Sequence, residues 1–242
     1  MVGYNLQEAK NVISKVRDNY IQLDKSIVSG WEALKRKLRS EWIGYDEEDF
    51  EKKFAQRLIE LSVAASEMTN NSMQTIYNLA KAWHDFQAQN TLDGGKLEIE
   101  PFNLEFDSTS PRNSESIPAG GLTLSDGTTR GLKNGTASAG TLQEAVSSFV
   151  NNIRQKAENL ANSISTERAF SGEQSTAIKN YLKKCGEVSA AIATSVDDLN
   201  TAIDTLLRGN YAASMEKVSE EFESATSSLN STLNDISSGR WE

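Results

Sequence analysis

Cysteine and histidine each occur once in the 242 residues, as Cys185 and His84. An intrachain disulfide framework is excluded, and so is a zinc site built from the usual Cys and His ligands. Proline is nearly absent: the three are Pro101, Pro111 and Pro118, all within one middle stretch. Proline breaks helix interiors by removing a donor and clashing with the preceding turn, so both flanks of that stretch are free to be helical. No apolar run approaches the ~18–20 residues that span a bilayer. The opening residues are polar and periodic, with no charged region followed by an apolar one, which predicts no removable signal peptide. Positive charge is also short, with 25 Lys and Arg against 34 Asp and Glu and a net charge of −9. The one basic cluster, Lys35-Arg36-Lys37-Leu38-Arg39, falls at a predicted helix C-terminus, where cations favour the dipole, and does not predict a nucleic-acid site.

What the chain does have is helical period. Leu6, Ala9, Val12, Ile13, Val16, Tyr20, Leu23, Ile27, Trp31, Leu34 and Leu38 recur at steps of three and four and predict a helix over about 4–40. The pattern pauses at Trp42-Ile43-Gly44-Tyr45. Asp46 reads as an N-cap, followed by Glu47, Glu48 and Asp49 in a first turn that suits carboxylates. A second stripe then runs from Phe50 through Trp83 and Phe86 to about Asn90.

Residues 91–140 lose the period. The alternation Leu97, Ile99, Phe102, Leu104, Phe106 predicts a short strand, and Leu122 to Gly127 a hairpin. Residues 107–116 and 133–140 read as flexible loop. Helical period returns at Leu142 and runs through Ile164, pauses at Ala169-Phe170-Ser171-Gly172, then continues from Ile178 through Leu206. Gly209-Asn210 is a candidate break before a last stripe from Tyr211 to Ile236, whose spacing suits a coiled-coil seam.

Three domains follow: a helical hairpin over 1–90, a linker with a small β element over 91–140, and a second hairpin over 141–242. The two aromatic-x-Gly pauses stand 128 positions apart (170 − 42). Glycine lets the chain reverse tightly, and the aromatic can fold back to seal the hairpin end. Each hairpin alone buries one stripe, so the expected fold is all-α. Two long hairpins pack as an antiparallel four-helix bundle with a small β-containing insert between them.

The Trp42-Ile43-Gly44 turn between two long helices, with no signal peptide, no disulfide and an acidic balance, resembles the Trp-x-Gly (WXG, ESX-like) hairpin proteins of type VII secretion. The resemblance covers residues 1–90 and, with Phe170 in place of tryptophan, extends to 141–240. It implies two such hairpins in tandem, a pseudo-dimer in one chain, with Trp42, Gly44, Phe170 and Gly172 as turn residues. It also implies a bacterial protein exported by a signal-peptide-independent route, secreted or on the cell surface and cytoplasmic before export. Its partners would be proteins, a secretion ATPase or a co-exported chain, with the chain monomeric as a pseudo-dimer or homodimeric. In the family the export signal Tyr-x-x-x-Asp/Glu follows the second helix. Here Tyr77 and Tyr211 lack the acid at that offset, whereas Tyr20 with Asp24 and Tyr45 with Asp49 have it, before or at the turn.

No catalytic, cofactor or metal set emerges. His84 in Trp83-His84-Asp85-Phe86 is expected to face solvent, with 83 and 86 buried, and Cys185 lies in an apolar stripe. Asp46 to Asp49 lacks the spacing of a calcium loop, and Gly94-Gly95 and Gly120-Gly121 lack the Lys-Ser/Thr of a phosphate loop. Surfaces remain as the functional asset, with Tyr211, Phe222 and Trp241 as candidate interaction residues. Three functions fit: an exported helical interaction module with no enzyme activity, a cytosolic scaffold or adaptor, and a helical pore-former with a β tongue. The tongue is disfavoured by Glu98, Glu100, Pro101, Glu105 and Asp107. Contact with a membrane would be transient, if it occurs at all.

Overall fold

The computed structural model describes residues 3–89, 100–119, 131–134, 136–164 and 170–171. Chain order is β1 (Gly3–Tyr4), α1 (Leu6–Glu41), β2 (Trp42–Ile43), α2 (Tyr45–Gln89), β3 (Gly131–Leu132), α3 (Thr136–Ser163) and β4 (Phe170–Ser171). Each strand is two residues long, so the described part is all-α.

Helix α1 starts where Asn5, extended at φ −116°, accepts the Glu8 N–H at 3.1 Å, satisfying one orphan donor of the first turn. It stops where Trp42 turns extended at φ −130°, and Gly44 follows with φ 155°. Its apolar stripe is buried from Ala9 to Leu38 as the spacing predicts. Helix α2 returns antiparallel along it and buries Phe50, Phe54, Leu58, Leu61, Ala65, Met68 and Ile76. Helix α3 also packs along α1, burying Leu142, Val146, Phe149, Ile153, Ala157 and Leu160.

A chain of rings runs inward from the turn. Trp42 meets Phe50 at 5.8 Å, Phe50 stacks on Phe54 at 5.3 Å, and Phe54 touches both Trp31 at 5.3 Å and Phe149 at 5.9 Å. All three helices therefore meet on Phe54, and each such pair adds about 0.5–1.5 kcal/mol beyond its buried area.

Several expectations need correction. Residues 102–106 form no strand. They pack on the helices with Leu104 buried, while Phe102 and Phe106 stand 5.4 and 6.0 Å from Tyr77. The strand lacks a partner because the side chains find helix surface first. Residues 107–116, expected as flexible loop, are hydrogen-bonded to both α1 and α2. Residues 133–140 were expected as loop too, yet α3 begins at Thr136. Its first turn is pinned when the Ser138 hydroxyl donates to Glu41 at 2.7 Å and accepts the Asn134 N–H at 3.1 Å.

Asp46 is not the N-cap of α2. The helix begins one residue earlier, and the Glu48 N–H donates to the Gly44 carbonyl at 3.3 Å, which gives glycine that place. His84 and Phe86 exchange roles. Phe86 is 56% exposed, whereas the His84 side chain is 12% exposed because the chain at Glu100 to Phe102 covers it. The hairpin at 122–127, the last two helical stripes, the break at Gly209, and residues Gly172, Cys185, Tyr211, Phe222 and Trp241 lie outside the described residues.

Candidate interaction surface

The turn of the first hairpin is closed by the chain that introduces the second half. Trp42 pairs with Leu132 and Ile43 with Gly131, antiparallel, and the Lys133 N–H extends the ladder to the Glu41 carbonyl at 2.9 Å. At the opposite end of α1 the relation is reversed. There Gly3 pairs with Ser171 and Tyr4 with Phe170, so the strand ahead of α1 meets the one that follows α3. Of the four turn residues singled out from sequence, Trp42 is buried at 3% exposure beside Gly44, and the backbone of Phe170 sits in the other clasp. Gly172 lies outside the described residues.

Behind the first clasp sits an acidic cluster. Arg39 donates to Glu51 through Nε at 2.9 Å and Nη2 at 2.6 Å. Glu47 is fully buried and stands 4.0 Å from Arg39, with neither carboxylate oxygen in hydrogen-bond contact. Burial first, and then the adjacent Glu51, push its carboxyl up to about 8.

The second constructed surface is the groove between α1 and α2, filled by residues 100–119. From α2, Asn70 accepts the Thr109 N–H at 2.8 Å and donates to its carbonyl at 2.9 Å, and Ser62 accepts the Arg112 N–H at 2.9 Å. From α1, the Tyr20 hydroxyl donates to the Ser110 carbonyl at 2.7 Å, and Asp24 takes Arg112 through both oxygens at 2.7 and 2.6 Å. Burial raises the Tyr20 phenol above its ordinary value. Farther along, Trp31 and Lys35 both donate to the Pro118 carbonyl, at 3.2 and 3.1 Å. Side chains of two helices thus bind main-chain groups of Thr109, Ser110, Arg112 and Pro118. Tyr20 and Asp24, the pair with Tyr-x-x-x-Asp spacing, are both spent on this segment.

Three of the four cations in the basic cluster are engaged as well. Lys35 also pairs with Glu32 at 2.6 Å, Lys37 with Glu41 at 3.7 Å, and Arg39 holds Glu51. Sequence reasoning missed the groove residues. Ser62, Ser66 and Asn70 recur every four residues on an otherwise apolar face, and Asp24 interrupts the stripe of α1; these were the available signals.

Between α1 and α3 a shallow groove of about 360 Å³ is lined by Gly30, Ala33, Lys37, Ala145, Ser148 and Phe149, among others. Among the described residues no group of acidic, His or Cys side chains could hold a metal ion, and no helix is long and apolar enough to cross a membrane. Compared with described protein families, curated proteins and solved structures, the chain matches none.

Proposed function

We propose that this chain is an exported helical interaction module without enzyme activity, resembling type VII secretion substrates. Two hairpins in tandem form one four-helix bundle, the second hairpin completed by residues beyond Ser171. The observation that carries this reading is the reciprocal clasp: Gly3–Tyr4 ahead of α1 pairs with Phe170–Ser171, and Gly131–Leu132 ahead of α3 pairs with Trp42–Ile43. A pair of antiparallel hairpins in contact would account for that relation, because each turn then lies beside the other's start. One histidine and one cysteine leave little for covalent or metal chemistry, so recognition falls to surfaces. The partner is a protein, either a secretion ATPase or a co-exported chain, and the destination is the medium or the cell surface.

Deleting the type VII secretion ATPase gene in the organism that encodes the chain tests the reading. The protein is expected to disappear from the culture medium and accumulate inside the cell. Unchanged export would sink it.

A further inference from the structure

The last turn of α1 and the first two turns of α2 bring two buried carboxylates onto one guanidinium. Glu47 is 0% exposed and Glu51 1%. Arg39 is shared unequally between them. It donates to both Glu51 oxygens, at 2.9 and 2.6 Å, and stands 4.0 Å from Glu47. Among the described residues neither Glu47 oxygen has a hydrogen-bond partner, and Arg39 is the only cation within 4.0 Å of it.

The other charged groups at this end are already matched. From α2, Glu48 is held by Lys52 at 2.7 Å. From α1, Glu32 is held by Lys35 at 2.6 Å, and Glu41 lies 3.7 Å from Lys37. The lead into α3 offers neutral groups, the Ser138 hydroxyl and the Lys133 backbone N–H, and both are spent on Glu41. A two-pronged guanidinium cannot turn to Glu47 without leaving Glu51. A charged Glu47 would therefore stand buried with no hydrogen bond, which is costly. Burial and the neighbouring Glu51 accordingly raise its carboxyl to about 8.

Glu47 has two ways out of that cost: it stays neutral, or it reaches water. On the core side stand the rings of Trp42, Phe50 and Phe54, packed between long helices. On the other side stands the clasp, two residue pairs and the single bond from Lys133 to Glu41. Paired strands this short have little stability of their own, and local opening takes the weakest element first.

We infer that this end of the molecule is a proton-operated latch: while Glu47 is neutral, Gly131–Leu132 stays paired with Trp42–Ile43, and ionisation of Glu47 releases that strand from the turn. The latch is shut at acidic pH and opens as pH rises through about 8. Opening uncovers Trp42, which is 3% exposed when shut, while α3 stays on α1 through Phe149, Ile153 and Leu160. The device goes beyond the export reading and works the same whether or not the chain leaves the cell.

The full chain labelled with 5-fluorotryptophan carries four fluorine signals, one for each tryptophan. Those of Trp42 and Trp31 are assigned from Trp42→Phe and Trp31→Phe. The water-to-deuterium-oxide isotope shift of each signal reports solvent exposure, which a nearby charge alone would not change. The Trp42 isotope shift is expected to rise towards its unfolded value with a midpoint near 8, while that of the core residue Trp31 stays low. In Glu47→Gln the rise is expected to vanish. It is expected to vanish in Glu51→Gln too, because Arg39 is then free to turn to Glu47. A Trp42 signal that stays buried throughout overturns the latch, as does a rise that persists unchanged in both variants. If Trp31 becomes exposed together with Trp42, the chain unfolds as a whole, and the latch is overturned as well.

Discussion

Gly30 of α1 lies directly against the Phe149 ring of α3: a Cβ at position 30 would stand 2.6 Å from Cε2 and 2.7 Å from Cδ2. The ring cannot swing away freely, because its other side meets Phe54 at 5.9 Å. Glycine here lets α1 and α3 approach closely. Gly30→Ala gains up to about 1 kcal/mol in helix propensity, but overpacking of this kind costs about 1–3 kcal/mol. The net expectation is destabilisation. Urea unfolding of Gly30→Ala, Phe149→Leu and the double variant checks it, with the double variant less destabilised than the two single effects added together. Strict additivity would show that the two residues do not press on each other.

Asp24 and Arg112 are unequal partners. The Asp24 side chain is 10% exposed and that of Arg112 39%, so removing the cation strands a buried carboxylate, whereas removing the anion frees a guanidinium to reach water. Arg112→Ala is expected to cost about 2–3 kcal/mol, discounted for its partial exposure, and Asp24→Asn about 1 kcal/mol. Hydrogen exchange at the Thr109 amide, held by Asn70 at 2.8 Å, should accelerate more in Arg112→Ala. The reverse order would mean that the pair is not what fastens residues 100–119.

Gly44 carries φ 155°, outside the regions open to side-chain-bearing residues, just after the clasp of Trp42 and Ile43. Gly44→Ala is expected to cost about 1–3 kcal/mol of strain. Since β3 is held to this turn, the Lys133 amide should lose protection in that variant while amides in the middle of α1 keep theirs. Uniform loss across the chain would count against a local effect.

The sequence was informative wherever periodic burial decides structure. The stripes of α1 and α2 and the pause at Trp42 to Gly44 are visible because each apolar residue repeats the same vote. The filled groove was not visible. Thr109, Ser110 and Arg112 meet Asn70, Ser62, Tyr20 and Asp24 through isolated side-chain hydrogen bonds, and such contacts have no period. The β pairs join residues about 90 and 167 positions apart through two-residue strands, too short to show alternation. Residues 137–140, Ala-Ser-Ala-Gly, resemble a loop by composition, yet Ser138 on Glu41 makes them the first turns of α3. Glu47 misled for a related reason: an acid near a helix start reads as solvated, and only the packed turn reveals its burial.

Burial of Glu47 makes stability depend on pH with a definite sign. Its carboxyl rises from an ordinary value near 4.5 to about 8, first because burial disfavours the charge and then because Glu51, already paired with Arg39, stands beside it. Between those values the folded chain holds a proton that the unfolded chain has lost, so unfolding releases a proton. This contribution is full below about 4.5 and is lost as pH rises through about 8. The slope approaches about 1.4 kcal/mol per pH unit where the two states differ by one whole proton. Glu47→Gln keeps the shape and removes the ionisation, so its urea midpoint should stay level across the window and exceed that of the unaltered chain above about pH 8. Glu48→Gln, a neighbour with its side chain 22% exposed, should leave the slope in place. If Glu47→Gln leaves the same slope, the proton is held elsewhere, and the cluster behind the Trp42 clasp is already ionised in the folded protein.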